Sequence, residues 1–265
     1  MTGELLVVDG LKKSYVDAYT QEEVVAIDGL SFSVGEGELV AILGPSGCGK
    51  TTVLNIIAGF VELTEGSVLL RGKPIREPGP DRGVVFQSFA LFPWKTVLAN
   101  VAFGLKMRGA GRREREGIAR EYLELVGLRG FENKYPHELS GGMQQRVGVA
   151  RVLANEPDVM LMDEPFASVD AQTRMKLQED LTRIWEERHP TIFFVTHDVE
   201  EAVFLSDRVI VLTPRPGRVR QIVDIEIRRP RVWRRLVDDD SFRRTTQDII
   251  DLLGEERDDR RPVAP

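Results

Sequence analysis

The fold of this chain follows from one stretch, Gly44-Pro45-Ser46-Gly47-Cys48-Gly49-Lys50-Thr51-Thr52. The stretch follows the apolar run Leu39-Val40-Ala41-Ile42-Leu43 and precedes a helical pattern that begins at Val53. A strand, a glycine-rich loop with the spacing G-x-x-x-x-G-K-T and a helix are together typical of a phosphate-binding loop, or P-loop. A glycine-rich turn with a chance lysine is the alternative, and the flanking strand and helix argue against it. The sequence therefore predicts an α/β fold with a phosphate site at one edge of a sheet.

Each residue type in this loop suits phosphate. Glycine allows backbone conformations that bulkier residues resist, so that successive N–H groups can point at one anion, and the following helix adds its positive dipole end. We expect Lys50 to contact the β- and γ-phosphates, Thr51 to hold Mg²⁺ and Thr52 to reach another phosphate oxygen. The predicted phosphate-binding residues are Gly44, Pro45, Ser46, Gly47, Cys48, Gly49, Lys50, Thr51 and Thr52.

The composition narrows the class of protein. With 42% hydrophobic and 29% charged residues, the 265-residue chain is typical of a soluble globular protein of one large domain or two lobes. Its net charge of −6 does not indicate a nucleic-acid binder, which usually has a basic surplus. Cys48 is the only cysteine, which fits a reducing compartment, and we interpret it as a small tolerated side chain rather than a redox-sensitive thiol. Neither a signal peptide nor a transmembrane segment is expected, so the predicted location is cytoplasmic, with any membrane association made through a partner.

Polar side chains follow three further apolar runs that read as buried strands, namely Arg82–Phe86, Val159–Met162 and Thr191–Val195. The carboxyl ends of parallel strands meet at one sheet edge, where a carboxylate is the expected Mg²⁺ partner of a P-loop. The adjacent glutamate is either a solvated neighbour or the group that deprotonates an attacking water. The histidine alone would more often be structural, but its place at a strand end favours a catalytic role. These polar residues are Gln87, Asp163, Glu164 and His197.

The remaining regions give coarser predictions. The first 75 residues mix antiparallel strands with the P-loop unit, and spacing alone favours Tyr15 as a core aromatic rather than a surface for adenine. Residues from about 96 to 155 are predicted to be mainly helical, with Ser140-Gly141-Gly142 opening a second anion-binding helix start. The aromatic loop Ser88–Trp94 is either a hydrophobic plug or a partner-binding surface.

The end of the chain changes composition after about Arg218. Arg208–Leu212 is the last clear predicted strand, and the basic run Arg228–Arg235 is interpreted as a solvated tail, with lipid head groups or an anionic regulator as alternative partners. Apolar residues at Ile249–Leu253 predict a helix, followed by a polar, frayed end.

The ordered motifs resemble the ATP-binding subunit of ABC transporters over about residues 5 to 215. They are Gly44–Thr51, Gln87, Leu139–Gln144, Val159–Glu164, Val169-Asp170 and His197. The run Leu139–Gln144 is close to diagnostic of this family, whereas a P-loop alone is not. The resemblance implies a P-loop NTPase core with a parallel sheet, an N-terminal antiparallel β subdomain and an inserted α-helical subdomain at about 90–155. It also implies an ATP-binding domain at 1–217 and a short C-terminal extension at 218–265.

The same resemblance assigns roles to individual residues, with ATP and Mg²⁺ as the implied cofactors. Tyr15 matches the aromatic residue that stacks on adenine, which reverses the preference for a core role. Thr51, Gln87 and Asp163 match residues around the metal, and Glu164 matches the catalytic base. Gln87 and His197 match catalytic residues, and Ser140, Gly141 and Gly142 match the signature motif that contacts ATP held by the other subunit. Gln144, in the same motif, and Asp170, which matches the D-loop aspartate, are further expected nucleotide-binding residues.

Finer resemblance is to the nitrate, sulfonate and taurine group of bacterial importers, through Leu91–Val101, Val195–Ala202 and Leu212–Arg218. It implies a head-to-tail homodimer on the cytoplasmic face of the inner membrane, associated with permease subunits and, indirectly, with a solute-binding protein. The alternatives are a non-transport ATPase acting on DNA or the ribosome, and an exporter subunit. The chain lacks the long coiled coil, second cassette and fused membrane helices typical of those proteins.

Overall fold

In a computed structural model, residues 3–16 and 21–254 are described, so the predicted frayed end lies outside the described residues. The strands of this part of the chain are β1 (Glu4–Val16), β2 (Glu23–Gly35), β3 (Leu39–Leu43), β4 (Glu65–Leu70), β5 (Lys73–Pro74), β6 (Arg82–Val85), β7 (Val159–Asp163), β8 (Ile192–Thr196), β9 (Arg208–Leu212) and β10 (Val219–Asp224). The helices are α1 (Lys50–Ala58), α2 (Val97–Val101), α3 (Phe103–Met107), α4 (Arg112–Leu125), α5 (Gly141–Leu153), α6 (Ala171–Arg188), α7 (Val199–Leu205), α8 (Trp233–Leu236) and α9 (Asp240–Gly254).

The strands form two sheets. A six-stranded sheet has the order β10-β9-β3-β8-β7-β6, in which only β10 runs antiparallel to its neighbour, and a four-stranded antiparallel sheet has the order β2-β1-β4-β5. Helices and the second sheet cover the larger sheet, so the predicted α/β fold is confirmed.

The apolar run before the P-loop shows why the larger sheet is buried on both faces. Every residue of β3 is inaccessible to solvent, and alternate side chains enter different clusters: Leu39, Ala41 and Leu43 in one, Val40 and Ile42 in the other. A continuous apolar run is what a parallel strand with two covered faces requires. Burial of each leucine or isoleucine contributes roughly 2 kcal/mol relative to exposure.

The predicted helical region at about 96–155 contains α2 to α5, separated by turns. The charged run at the start of α4 faces solvent, as expected, while Ala119, Tyr122 and Leu123 are buried. Among the described residues, no helix combines the length and hydropathy that a membrane span requires.

The end of the chain departs from the sequence prediction in two ways. A further strand, β10, joins the edge of the larger sheet, although its short and half-exposed pattern gave no clear signal. The interpretation of Arg228–Arg235 as a solvated tail is wrong, because Arg231 is only 3% exposed and Trp233 is buried. The guanidinium of Arg231 donates to the carbonyls of Val203, Phe204 and Ser206 at the end of α7. Its buried position lowers the pKa of Arg231 to about 10.

Candidate nucleotide site

The larger sheet brings the predicted site residues to one edge. Strand β3 pairs in parallel with β8, with Leu43 opposite Thr196, and β8 pairs with β7, with Val195 opposite Asp163. Strand β6 pairs with β7, with Val85 opposite Met162. Because all four strands end together, the residues that follow them share this edge: Gly44, Gln87, Glu164 and His197.

A cavity of about 760 Å³ opens at this edge, and we call it the P-loop cavity. It brings together residues from β1, the P-loop and the ends of β7 and β8. Tyr15, which is 42% exposed, lies in its wall rather than in the core. The lining residues are Tyr15, Ala26, Ser46, Gly47, Gly49, Lys50, Thr51, Thr52, Glu164, His197 and Arg215.

The P-loop needs glycine at its junction with α1. Gly49 has φ +100°, and a Cβ there would lie 3.0 Å from Cγ1 of Ile27, so both conformation and space exclude larger side chains. The ammonium of the next residue, Lys50, donates to the carbonyl of Gly44 at 2.7 Å. Cys48 is fully buried, and burial raises the pKa of its thiol, which fits a space-filling side chain.

Two oxygen-bearing side chains meet beneath the P-loop. The hydroxyl of Thr51 donates to Oδ1 of Asp163 at 3.1 Å. Burial raises the pKa of Asp163, and the nearby charge of Glu164 adds to this, whereas the hydrogen bond from Thr51 and the charge of Lys50 oppose it. Hydroxyl and carboxylate oxygens are the donors that Mg²⁺ prefers, so this pair fits the predicted metal site.

Glu164 and His197 face each other across the sheet edge. Nδ1 of His197 lies 3.2 Å from Oε1 of Glu164, and both residues line the P-loop cavity. The backbone of Glu164 has φ +43°, and its N–H donates to the carbonyl of Val195 at 3.0 Å. A non-glycine residue held in this region costs about 1–3 kcal/mol, and such strain clusters at active sites.

Several predicted residues lie outside the P-loop cavity. Gln87 is exposed beyond the end of β6, and its carbonyl accepts a hydrogen bond from Ser168 at 3.2 Å. Ser140 caps α5 by accepting from the N–H of Met143, and Asp170 caps α6 in the same way. The remaining predicted residues that do not line this cavity are Gly44, Pro45, Cys48, Gly141, Gly142, Gln144 and Asp163. Within one copy of the chain, the predicted phosphate-binding starts of α1 and α5 therefore do not line the same cavity.

Arg215 is a cavity residue that the sequence analysis did not assign to the site. It belongs to the β9–β10 loop, where its Nε donates to the carbonyl of Val25 and Arg218 pairs with Asp28. A Cβ at Gly217 would overlap the carbonyl oxygen of Cys48, so this loop rests directly on the P-loop. The Pro-Arg-Pro-Gly turn was the available signal, but the Arg215–Val25 contact joins residues 190 positions apart, and no periodicity shows it.

A second cavity, of about 660 Å³, lies between β6, α3 and α5, and we call it the apolar groove. Phe92 lines it and packs on Phe103 with ring centroids 4.6 Å apart. Trp94 is 71% exposed and lies 5.8 Å from Phe92. Within the aromatic loop, Phe92 is therefore a packed residue, whereas Trp94 is open to solvent.

Comparison with known proteins also indicates a nucleotide-binding protein. Residues 27–167 match the ABC transporter family model. A taurine import ATP-binding protein of Rhizobium johnstonii is 53% identical, with 77% of this chain and 78% of that protein covered. A nitrate import ATP-binding protein of Synechococcus elongatus is 44% identical, with 86% and 85% covered.

A solved structure is also similar. It is a dimeric ATP-binding cassette in a post-hydrolysis state bound to ADP and Pi, with a TM-score of 0.72, 34% identity and coverage of 84% of this chain and 100% of that one. The P-loop cavity, the sequence match and this likeness agree, and the chain belongs to the ABC transporter family of ATP-binding cassette ATPases.

Proposed function

We propose that this chain hydrolyses ATP to energise the import of a small solute through a membrane permease. The observation that carries the hydrolytic part is the pairing of Glu164 with His197 in the wall of the P-loop cavity. The names of the relatives support import of an anion or zwitterion such as nitrate, a sulfonate or taurine.

The proposed roles follow from position in the P-loop cavity. Glu164 accepts a proton from the attacking water, and His197 orients the γ-phosphate from across the 3.2 Å contact. Tyr15 stacks on adenine, and the P-loop N–H groups with Lys50 hold the phosphates. Thr51 and Asp163 would hold Mg²⁺, with Gln87 as the further proposed ligand from the neighbouring strand end, and the ion would neutralise phosphate charge.

We propose that the complete site forms between two copies arranged head to tail. The helix start at Ser140–Gly142, with Gln144, and the Asp170 turn lie outside the P-loop cavity of their own chain and remain able to reach nucleotide held by a second copy. The dimeric state of the similar solved cassette supports this arrangement. ATP then favours the closed dimer and hydrolysis releases it.

The apolar groove is the proposed docking site for a cytoplasmic segment of the permease. It is lined by Phe60, Phe86, Phe92 and Met107, and Trp94 stands exposed beside it. The chain would then lie peripherally on the cytoplasmic face of the inner membrane, with a solute-binding protein acting on the permease from outside. We propose residues 1–217 as the ATP-binding domain, with a helical part at about 90–155, and 218–265 as an extension whose first strand joins the same sheet.

The first test is co-purification with a tagged Glu164→Gln variant from detergent-extracted membranes of the native host. We expect ATP binding to persist, turnover to fall by about 100-fold or more, and an integral membrane protein to co-purify in stoichiometric amount. Parental turnover would contradict the assignment of Glu164. Recovery of nucleic acid or ribosomes without a membrane protein would contradict the import function.

Docking at the apolar groove is tested with Trp94→Ser and Met107→Ser. Both side chains are large and exposed, so their loss should weaken permease association without changing the Kd for ATP. Val237→Ser, at an exposed apolar position on the C-terminal side of α8, is the matched control. Full permease recovery with both groove variants would argue for a purely structural aromatic loop.

A further inference from the structure

A buried chain of polar side chains joins the end of β8 to α8. Its members are Thr196, Glu201, Gln178 and Trp233, from four different elements or their junctions, and all are at most 7% exposed. The indole N–H of Trp233 donates to Oε1 of Gln178 at 2.9 Å, and Nε2 of Gln178 donates to Oε2 of Glu201 at 2.9 Å. Glu201 also shares a hydrogen bond with the hydroxyl of Thr196.

The direction of these hydrogen bonds is fixed from the indole end. An indole N–H can only donate, so Gln178 must turn its oxygen toward Trp233 and its amide N–H groups toward Glu201. A carboxylate at Glu201 can accept from both Gln178 and Thr196. Each polar group of the chain is then satisfied with one arrangement of the Gln178 amide, which matters because an unpaired buried polar group is costly.

The other end of this chain shapes the turn that carries His197, which we call the switch turn (Thr196–Asp198). Oγ1 of Thr196 accepts from the N–H of Asp198 at 3.1 Å. Oδ1 of Asp198 in turn accepts from the N–H of Glu201 at 3.0 Å, which caps α7. The two residues that flank His197 are therefore both tied to Glu201, through its side chain on one side and its backbone on the other.

We propose that Glu201 is a positioning residue for His197, and that Trp233 controls it by setting the orientation of the Gln178 amide. The segment after residue 217 thereby becomes part of the ATPase machinery, although none of the residues of α8 lines the P-loop cavity. The proposal rests on the proposed role of His197 in hydrolysis.

Opposing influences act on the protonation of Glu201, which supports the proposal. Burial raises the pKa of Glu201 to about 7, and the charge of Asp198 acts in the same direction. The hydrogen bonds from Thr196 and Gln178 and the charge of Arg174 oppose that rise. Loss of the Gln178 donor would remove one of the groups that keep this carboxyl ionised.

The first test compares Trp233→Phe with Trp185→Phe. Phenylalanine keeps an aromatic ring where Trp233 stacks on Phe204, and it removes the indole donor together with the smaller ring that carries it. Trp185 lies on α6, the same helix as Gln178, and its indole nitrogen has no hydrogen-bond partner, so it is a matched control. We expect Trp233→Phe to lower kcat about three- to tenfold with unchanged KM for ATP, and Trp185→Phe to leave both unchanged.

The second test is a rescue. Glu201→Gln should lower kcat because the new amide N–H₂ must face either the Gln178 amide N–H₂, which can only donate, or the Thr196 hydroxyl, which would then have to accept instead of donate. In the double variant with Trp233→Phe, Gln178 is free to rotate and present its oxygen, so part of the kcat should return. A purely packing role predicts additive losses instead.

The outcomes separate this inference from the proposed function. His197→Ala with parental kcat would overturn the role of the histidine and the inference with it. If His197→Ala lowers kcat while Trp233→Phe behaves like Trp185→Phe, the inference alone fails. Additive losses in the double variant would also overturn it. The tryptophan pair decides the question even if Glu201→Gln does not fold.

Discussion

At the scale of single residues, Arg215 adds a positive charge to the P-loop cavity that the sequence motifs did not predict. The Arg215 side chain lines the cavity, and its Nε is held by the carbonyl of Val25. Val24 is the register partner of Tyr15, so the guanidinium stands near the aromatic wall. We infer that Arg215 contributes favourable charge to a bound nucleotide.

Arg215→Ala should therefore raise the Kd for ATP about threefold to tenfold, which corresponds to roughly 1 kcal/mol for an exposed charge interaction. The measurement is calorimetric or fluorescent titration of the full chain with ATP. Arg113→Ala, at an exposed position on α4, controls for the change of net charge. Equal affinities for the two variants would remove Arg215 from the site.

The sequence predicts residues of the candidate site best where a short motif by itself indicates a chemical role. The spacing of the P-loop predicts phosphate binding, and the position of Glu164 at a strand end beside it favours a role in proton transfer. Tyr15 shows the limit, since spacing along one strand cannot distinguish a core ring from one at the rim of a cavity. That distinction depends on neighbouring strands and on the β9–β10 loop, which are distant in sequence.

At the scale of elements, Arg231 joins the C-terminal segment to α7. Its guanidinium donates to three carbonyls around the last turn of α7, where a helix leaves carbonyls without partners and its dipole favours a cation. The buried charge has carbonyl oxygens, rather than a carboxylate, as its direct partners among these contacts. Removing the guanidinium should destabilise the fold, because buried carbonyls would be left without a hydrogen-bond donor.

We expect Arg231→Met to lower the free energy of unfolding by about 2–4 kcal/mol, because five carbonyls lose a charged donor, the three at the end of α7 and those of Ile225 and Ile227. Urea unfolding of the full chain measures the change. Arg235→Met, at an exposed position on α8, should change it by less than about 0.5 kcal/mol. If both variants lowered the free energy of unfolding by the same small amount, the segment would behave as the solvated tail that the sequence suggested.

The elements that sequence reasoning missed have a common physical cause. Strand β10 is a half-exposed edge, and α8 spans four residues, so neither shows a sustained period of apolar residues. The buried strands β3, β7, β8 and β9 were clear because each has a nearly continuous apolar run. Arginine in a sequence suggests solvent, and the burial of Arg231 is explained by the carbonyls at the end of α7 and those of Ile225 and Ile227, which accept from its guanidinium.

At the scale of the whole molecule, the P-loop and the start of α5 are separate within one chain. Mixed dimers of two variants test whether a second copy completes the site. Lys50→Ala removes the P-loop cation, and Gly141→Asp places an anion at the second helix start. A Cβ at Gly141 would meet its nearest neighbour, Phe89, at an ordinary 3.8 Å, whereas one at Gly142 would clash with Thr173, so position 141 spares the fold.

Each variant alone should lack ATPase activity, while an equal mixture should recover roughly a quarter of the parental rate. Half of the randomly assembled dimers are mixed, and each mixed dimer retains one complete site. Steady-state ATP hydrolysis at high protein concentration measures the recovery. A mixture as inactive as its components would show that each chain completes its own site.

The three tryptophans of the chain occupy three different surroundings, at Trp94, Trp185 and Trp233. Trp94 stands in solvent beside the apolar groove, whereas Trp233 lies buried on Phe204, 4.2 Å between ring centres. With Trp185 replaced by phenylalanine, the exposed Trp94 and the buried Trp233 remain as two intrinsic optical probes with emission at different wavelengths. A blue shift of Trp94 emission would report docking, and quenching or recovery at Trp233 would report motion of α7, so the two events of a transport cycle could be timed separately without any added dye.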